Sequence, residues 1–191
     1  SKNTEVYCFE PNPLNFKLLK ENTKHLPNVH LNEVAVSNQN GTTLVETFNV
    51  NDFRNFGEIH INAKEGVSVP TIRLDDAGLP TPHVIKIDVE GFEHGVLLGA
   101  ENIIKTRQPV IYYEAQDMRD FDKSWFFLTR LNYHLYWSMV KNYNENNLNN
   151  NPNSIFGNSA IFDVIALPES IGKLQHGTKV LGPDDHWKRL L

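Results

Sequence analysis

The chain has 191 residues, 40% of them hydrophobic, which is enough for one globular domain with a packed core. Its 18 basic and 23 acidic residues give a formal net charge of -5, so it lacks the basic excess that nucleic-acid binding needs. No run approaches the roughly 20 apolar residues of a membrane span, and the single cysteine, Cys8, fits a reducing compartment. We therefore expect a soluble, cytoplasmic protein with no nucleic-acid or membrane partner.

The chain begins with a predicted strand, helix and strand. Glu5 to Phe9 is a short apolar run that ends at Glu10, and Val29 to Val36 is the next strand. Between them, Asn12 suits an N-cap and Pro13 the first position of a helix. This part therefore reads as one β-α-β unit.

The segment after this unit is predicted to be small antiparallel pieces. Asn40-Gly41 is typical of a tight hairpin turn between two strands. From Thr43 to Leu74 the apolar runs are short and rich in β-branched residues, which favours strands over helix.

A second unit follows, with His83 to Val89 as a strand and Glu93 to Arg107 as a helix. Gly95 and Gly99 lie one turn apart on that helix. Because each costs roughly 1 kcal/mol against alanine inside a helix, the pair predicts a close approach to the sheet.

The last part ends in a pair of strands without a helix between them. The predicted elements are a strand at Pro109 to Glu114, a helix near Asp122 to Leu131, and strands at His134 to Val140 and Ala160 to Leu167. The last two strands are joined by an asparagine-rich loop, so we expect them to pair antiparallel. After Pro168 comes a tail.

Carboxylates follow several of these strands. Repeated strand-helix-strand units predict an α/β fold with a mostly parallel sheet and helices on both faces, in which the strands' carboxyl ends share one edge. Ligands bind at that edge. Glu10, Asp88, Glu90 and Glu114 all lie at strand ends, so we expect these four carboxylates to meet there.

The residue types suggest different roles at this edge. Glu10 suits the acceptor that binds both ribose hydroxyls of a nucleotide. Asp88 and Glu90 are candidates for a general base, a metal site or contact with a cationic ligand. Glu93 falls in the first turn of a helix, where the dipole stabilises a negative charge, and His94 beside it is a candidate proton acceptor.

A series of motifs resembles a known family. Five motifs resemble, in their order along roughly Val6 to Leu167, the FkbM family of S-adenosylmethionine-dependent methyltransferases. They are VYCFEPNPLNF, NEVAVSNQNGT, the pair IRLDD and IKIDVEGFEHGVLLGA, and RQPVIYYE. The resemblance implies a class I methyltransferase fold with a C-terminal antiparallel strand pair. It also implies O-methylation of a hydroxyl on a sugar, glycan, polyketide or related small-molecule acceptor.

Site residues carry over onto the matching positions. The resemblance implies that Glu10 binds the ribose of S-adenosylmethionine, that Ala35 and Val36 flank its adenine, and that Asp88 and Glu90 lie near the transferred methyl. The predicted donor-binding set is Glu10, Asn12, Ala35, Val36 and Asp88. The predicted catalytic set is Asp88, Glu90 and His94, and no metal is predicted.

The chain departs from the family at its start. Family members begin with a strand and a glycine-rich turn, and Ser1 stands just before what should be the second strand. We therefore expect a methyltransferase domain over residues 1–168 that lacks its first strand, followed by a tail over residues 169–191. Two alternatives stay open, a non-catalytic remnant or interaction module of the same fold and an NAD-binding oxidoreductase of Rossmann type.

Overall fold

The computed structural model describes residues 4–46, 63–115, 118–144, 146–147, 150–154 and 159–190. Contacts divide the chain into two compact units. The first comprises Ser1–Thr81 and Val89–Ile104, and the second comprises Pro82–Asp88 and Lys105–Leu191. Among the described residues, no helix has the length and apolar character that crossing a membrane requires.

The first unit opens with the predicted β-α-β arrangement. Strand β1 (Val6–Phe9) pairs parallel with β2 (Val29–Asn32), and helix α1 (Pro13–Thr23) connects them. Asn12 is the N-cap of α1, because its Oδ1 accepts the backbone N–H groups of Leu14 and Asn15. The cap and the proline at the helix start were both readable from the sequence, and both are confirmed.

A second small sheet in this unit corrects two predictions. Its strands are β3 (Ala35–Val36), β4 (Gly41–Val45) and β5 (Val67–Ile72), in the order β3-β5-β4. The predicted strand from Val29 to Val36 is therefore two strands in two sheets. The Asn40-Gly41 segment does not close a hairpin, because β3 and β4 lie on either side of β5, parallel and antiparallel to it.

Only some of the strands predicted between Thr43 and Leu74 lie within the described residues. Strands β4 and β5 form the expected antiparallel pair. The run EIHI, at residues 58–61, lies outside the described residues. The side chains of Ala35, Val45 and Val69 pack together as a buried core for the small sheet.

The predicted long helix from Glu93 to Arg107 is two shorter helices, α2 (Glu93–Gly99) and α3 (Glu101–Arg107). The interruption has a side-chain cause. Asp75, which follows β5, accepts the backbone N–H groups of Asn102 at 3.0 Å and Ile103 at 2.9 Å. These N–H groups are therefore bound to a carboxylate, and a new helix starts there.

Gly99 confirms the predicted close approach of a glycine. A Cβ built on it would lie 2.0 Å from the backbone oxygen of Ser37, just after β3. A side chain of any size would push these two backbones apart. Gly95 has a different role, because its Cβ position faces the ring of Phe92 at 2.2 Å.

The second unit contains a five-stranded mixed sheet in the order β10-β8-β9-β7-β6. Its elements are β6 (Val84–Ile87), β7 (Val110–Glu114), α4 (Phe121–Arg130), β8 (Tyr133–Lys141), β9 (Ala160–Pro168) and β10 (Thr178–Lys179). Strands β6 and β7 are parallel, and the other pairs are antiparallel. The predicted C-terminal antiparallel pair is β8 with β9, which is confirmed.

The residues after β9 pack against this sheet. Strand β10 pairs with β8, and the indole of Trp187 stacks on Phe162 with ring centroids 4.3 Å apart. The Trp137 indole N–H donates to Asp185 at 3.0 Å. Arg189 also donates to Asp185, so one carboxylate fixes the C-terminal residues to β8.

Candidate active site

The parallel strands β6 and β7 bring two of the predicted carboxylates together. Asp88 directly follows β6 and Glu114 is the last residue of β7, while Ile87 and Tyr113 are partners in the register. Carboxylate oxygens of Asp88 and Glu114 lie within 4.8 Å of each other. The expected meeting of acidic side chains at strand ends is therefore confirmed for this pair.

Lys86 is a member of this cluster that the sequence reasoning missed. Its Nζ lies 2.7 Å from Oδ2 of Asp88, and this hydrogen bond raises the pKa of the Lys86 ammonium. Both side chains are about half exposed. Strand alternation in IKID was the available signal, because residues two apart share a face.

A second pair of side chains continues the cluster across the sheet. The phenol of Tyr112 on β7 donates a short hydrogen bond to Oδ2 of Asp163 on β9. Ser138 on β8 lowers the pKa of this phenol as a polar neighbour. Asp163 is buried, and it is the register partner of both Glu114 and Ser138.

Burial dominates the electrostatics of this pair. Desolvation raises the pKa of Asp163, the Tyr112 hydrogen bond opposes that change, and the charge of Asp88 adds to it. Desolvation and the bond to Asp163 both raise the pKa of the Tyr112 phenol. A charged residue inside the apolar run AIFDVIAL was a signal for Asp163 that the sequence reasoning did not use.

Grouped carboxylates such as Asp88 and Glu114 can attract a cation. Exposed acidic groups are common without one, and the positive charge that a site receives can belong to an organic ligand. The predicted absence of a metal therefore stays a prediction.

The remaining acids of IKIDVEGFE have separate structural settings. Glu90 and Gly91 both have positive φ angles, 53° and 91°, so the chain turns through a left-handed conformation there. Glu93 is buried at the start of α2 and accepts the Gly91 N–H at 3.1 Å. Its interpretation as a helix-start residue is thus supported, and a left-handed non-glycine residue such as Glu90 is typical of functional turns.

The carboxylate of Glu10 is held in place by a backbone hydrogen bond. Its Oε1 accepts the backbone N–H of Asn12 at 2.7 Å, and among the described residues Oε2 has no hydrogen-bond donor. Burial raises the pKa of this carboxyl, while the Asn12 hydrogen bond lowers it. Glu10 belongs to the first unit, and its predicted meeting with Asp88 stays a prediction.

Asn12 itself has little capacity left for a ligand. It is 2% exposed, its Oδ1 caps α1, and its Nδ2 donates to the backbone oxygen of Glu46 at 3.2 Å. Its structural contribution is to hold the chain after β1 and to orient Glu10. The prediction that Asn12 contributes to donor binding stays a prediction.

The other predicted site residues occupy varied positions. Ala35 is buried in the core of the small sheet, and Val36 beside it is half-buried. His94 is the second residue of α2 and is also half-buried. Adenine contact by Ala35 and Val36 and proton transfer by His94 stay predictions.

The β-α-β units and the mixed sheet place the fold in the α/β class. Residues 2–135 match the family described as the methyltransferase FkbM domain. The match covers well over half of the chain, so the chain belongs to this family. The resemblance found in the sequence motifs is confirmed.

Two curated relatives carry related names. The 2-O-methyltransferase NoeI of Sinorhizobium fredii is 33% identical over 62% of this chain and 56% of its own length. The hexuronic acid methyltransferase AglP of Haloferax volcanii is 29% identical over 64% of this chain and 53% of its own length. The chain thus spans about half the length of the curated relatives it matches.

A solved structure supports the fold. The crystal structure of methyltransferase FkbM from Methylobacillus flagellatus matches 85% of this chain and 36% of that chain, with a TM-score of 0.53 and 15% identity. The predicted α/β fold of class I methyltransferases is therefore confirmed, but the described sheets are mixed where a mostly parallel sheet was expected.

Proposed function

We propose that the full-length protein containing this chain is an S-adenosylmethionine-dependent O-methyltransferase acting on a hydroxyl of a sugar or glycan. The observation that carries the proposal is the family match over residues 2–135. The names of the two curated relatives, a 2-O-methyltransferase and a hexuronic acid methyltransferase, support a carbohydrate acceptor.

Glu10 is the residue that best fits the donor. Its carboxylate has one oxygen held by a backbone N–H and a second oxygen without a donor in the described part of the chain, so it can accept hydrogen bonds from ribose hydroxyls without rearranging. S-adenosylmethionine, when bound, supplies a methyl group attached to a positively charged sulfur. The Asn12 N–H fixes the Glu10 carboxylate in advance, which reduces the ordering cost of binding.

The edge formed by Asp88 and Glu114 suits the reacting end. Carboxylate oxygens of Asp88 and Glu114 lie within 4.8 Å of each other, and the Lys86 ammonium balances one of the two charges. These three side chains together keep a net negative charge, which favours a positively charged group nearby. An alcohol is a poor nucleophile at neutral pH and needs a proton acceptor at its oxygen. From the sequence, Asp88 and Glu90 are the candidates for this task.

The proposal includes a cytoplasmic location for the protein. Cys8 is the single cysteine and cannot form an internal disulfide, which supports a cytoplasmic location.

Calorimetry separates the proposal from its rivals. We expect the full-length protein to bind S-adenosylmethionine and S-adenosylhomocysteine, and not NAD. Binding of NAD alone would support the oxidoreductase, and binding of none of the three would support a non-catalytic member of the family.

A transfer assay tests the acceptor class. The protein is incubated with methyl-labelled S-adenosylmethionine and four probes: the methyl glycosides of glucose, galactose, fucose and glucuronic acid. We expect label in at least one glycoside as an acid-stable methyl ether. Donor binding without transfer to any of the four would contradict a carbohydrate acceptor.

A further inference from the structure

Four neighbouring strands of the second unit each contribute a polar side chain to one face of the sheet. The register pairs Lys86 on β6 with Tyr112 on β7, and two residues further along it pairs Asp163 on β9 with Ser138 on β8. Paired residues, and residues two apart on one strand, point to the same side. The face therefore carries a continuous polar row that ends beside Glu114.

A hydrogen bond joins two members of this row. The phenol of Tyr112 donates to Oδ2 of Asp163. Among the described residues, Oδ1 of Asp163 has no hydrogen-bond donor. Tyr112 thus holds in place a carboxylate whose second oxygen has no donor within the described part.

The carboxylate of Asp163 carries a desolvation cost at this buried position. Asp163 is 7% exposed, and its neighbours in sequence on β9, Phe162 and Val164, are buried apolar residues. A buried carboxylate that receives one phenol hydrogen bond remains costly compared with an apolar residue, so packing gives no reason for it. Such groups concentrate where a protein uses them for chemistry.

We infer that Asp163 is the proton acceptor for the acceptor hydroxyl, and that Tyr112 is a positioning residue for it. The inference rests on the proposed function. As the O–H bond breaks, Asp163 takes the proton, and a lone pair of the acceptor oxygen forms the new O–C bond. The electron pair of the C–S bond remains on sulfur, so a carboxylate and a sulfonium become a carboxylic acid and a neutral thioether.

Asp88, a candidate for this task from the sequence, is in a less suitable setting. Its Oδ2 is occupied by Lys86, and its side chain is 49% exposed to water. Asp163 is more buried, and its bond to Tyr112 fixes its orientation. Asp88 and Lys86 instead form an ion pair next to this polar row.

The protonation behaviour of Asp163 agrees with this role. Desolvation raises its pKa, which brings a carboxylate closer to the working range of a general base. The titratable groups that face it in the described part are Tyr112 and Glu114 from β7, and Lys86 and Asp88 from β6. Among these, the Tyr112 hydrogen bond and the Lys86 charge lower its pKa.

The first test is Asp163→Asn in the full-length protein, assayed with the four methyl glycosides. We expect kcat to fall by roughly 10²- to 10⁴-fold, the usual contribution of general base catalysis, while donor affinity measured by calorimetry stays unchanged. Asp184→Asn, the same change at an exposed position, is the matched control. Thermal unfolding verifies that both variants fold.

The second test is Tyr112→Phe, which keeps the carboxylate and removes its hydrogen bond. The acidic limb of the kcat profile is expected to move to higher pH, since the phenol lowers the Asp163 pKa. A carboxyl titration of labelled aspartate by NMR, without donor or acceptor, is expected to show the same shift. If Asp163 were not the proton acceptor, the NMR titration would still move, but the acidic limb of the kcat profile would stay in place.

Three outcomes count against the inference. An active wild type whose Asp163→Asn variant loses less than about tenfold in kcat overturns the inference and leaves the proposed function intact. A Tyr112→Phe variant in which the Asp163 titration moves while the acidic limb of the kcat profile stays in place also overturns it. A wild type that binds S-adenosylmethionine but methylates none of the glycosides contradicts both the carbohydrate acceptor and this role.

Discussion

The backbone N–H of Asn12 donates to Oε1 of Glu10 at 2.7 Å, so the residue that caps α1 also fixes the carboxylate at the end of β1. The helix start and the proposed ribose acceptor are thereby one structural feature. A change in either residue is expected to affect the other.

Glu10→Gln tests the donor site. The variant keeps the size of the side chain but turns a charged acceptor of two hydrogen bonds into a neutral group, so affinity for S-adenosylmethionine is expected to fall about 10- to 100-fold. Calorimetry measures the change. Glu5→Gln, at an exposed residue that pairs with His30, is the control, and equal affinity in both variants would exclude Glu10 from the donor site.

The same carboxylate gives donor binding a pH dependence. Glu10 must be ionised to accept both ribose hydroxyls, and burial raises its pKa. Donor affinity is therefore expected to fall as the pH is lowered, starting at higher pH than an ordinary glutamate would give. Glu10→Gln should remove this dependence.

Gly99→Ala tests the close approach between α2 and the backbone after β3. A Cβ at this position would lie 2.0 Å from the Ser37 oxygen, so the two backbones must separate. The free energy of unfolding is expected to fall by about 1–3 kcal/mol in urea denaturation. Gly182→Ala is the control, because nothing lies within 4 Å of its Cβ position, and an equally small effect at both sites would contradict the structure.

Glu90→Gly separates conformation from chemistry. Glu90 has a φ of 53°, which glycine adopts without the cost of about 1–2 kcal/mol that a side chain imposes, so the variant should keep this turn and the fold. If the carboxylate assists transfer, kcat falls in this stable variant. Retained stability together with full activity would remove Glu90 from the catalytic set.

Asp185→Asn tests how the C-terminal residues are fixed to β8. The Arg189 hydrogen bond, with those from Leu181 and Trp137, holds the Asp185 pKa well below its ordinary value. A carboxyl with a lowered folded pKa stabilises the fold above its unfolded pKa of about 3.9, and this stabilisation is lost as the pH falls. At neutral pH the variant is expected to melt several degrees below the wild type.

The pH series supplies the check. The difference in melting temperature between wild type and Asp185→Asn should shrink as the pH is lowered below about 4. Asp184→Asn, at the neighbouring exposed residue, is the control for the loss of one negative charge. A difference that is constant with pH would mean that the ion pair contributes nothing.

Local features were predictable where neighbouring residues decide them. The N-cap at Asn12, the helix start at Glu93 and the antiparallel pair β8 and β9 follow from spacing and residue type. The motif order was specific enough to identify the family, and residues 2–135 confirm it.

Predictions failed where distant residues decide the outcome. Asp75 caps α3 from 27 residues away, so the predicted helix from Glu93 to Arg107 is divided in two. Strand β5, far along the chain, inserts between β3 and β4 and prevents a hairpin at Asn40-Gly41. No local pattern carries either interaction.

By itself, the sequence determined which strands end in carboxylates and which family the chain belongs to, because both are encoded in short runs of residues. Only the tertiary structure decided which side chains share a site. Lys86 meets Asp88 within one strand, but Tyr112 meets Asp163 across 51 residues, through the pairing of β7 with β9. Strand register, set by the whole sheet, determines that contact, and register cannot be read from either strand alone.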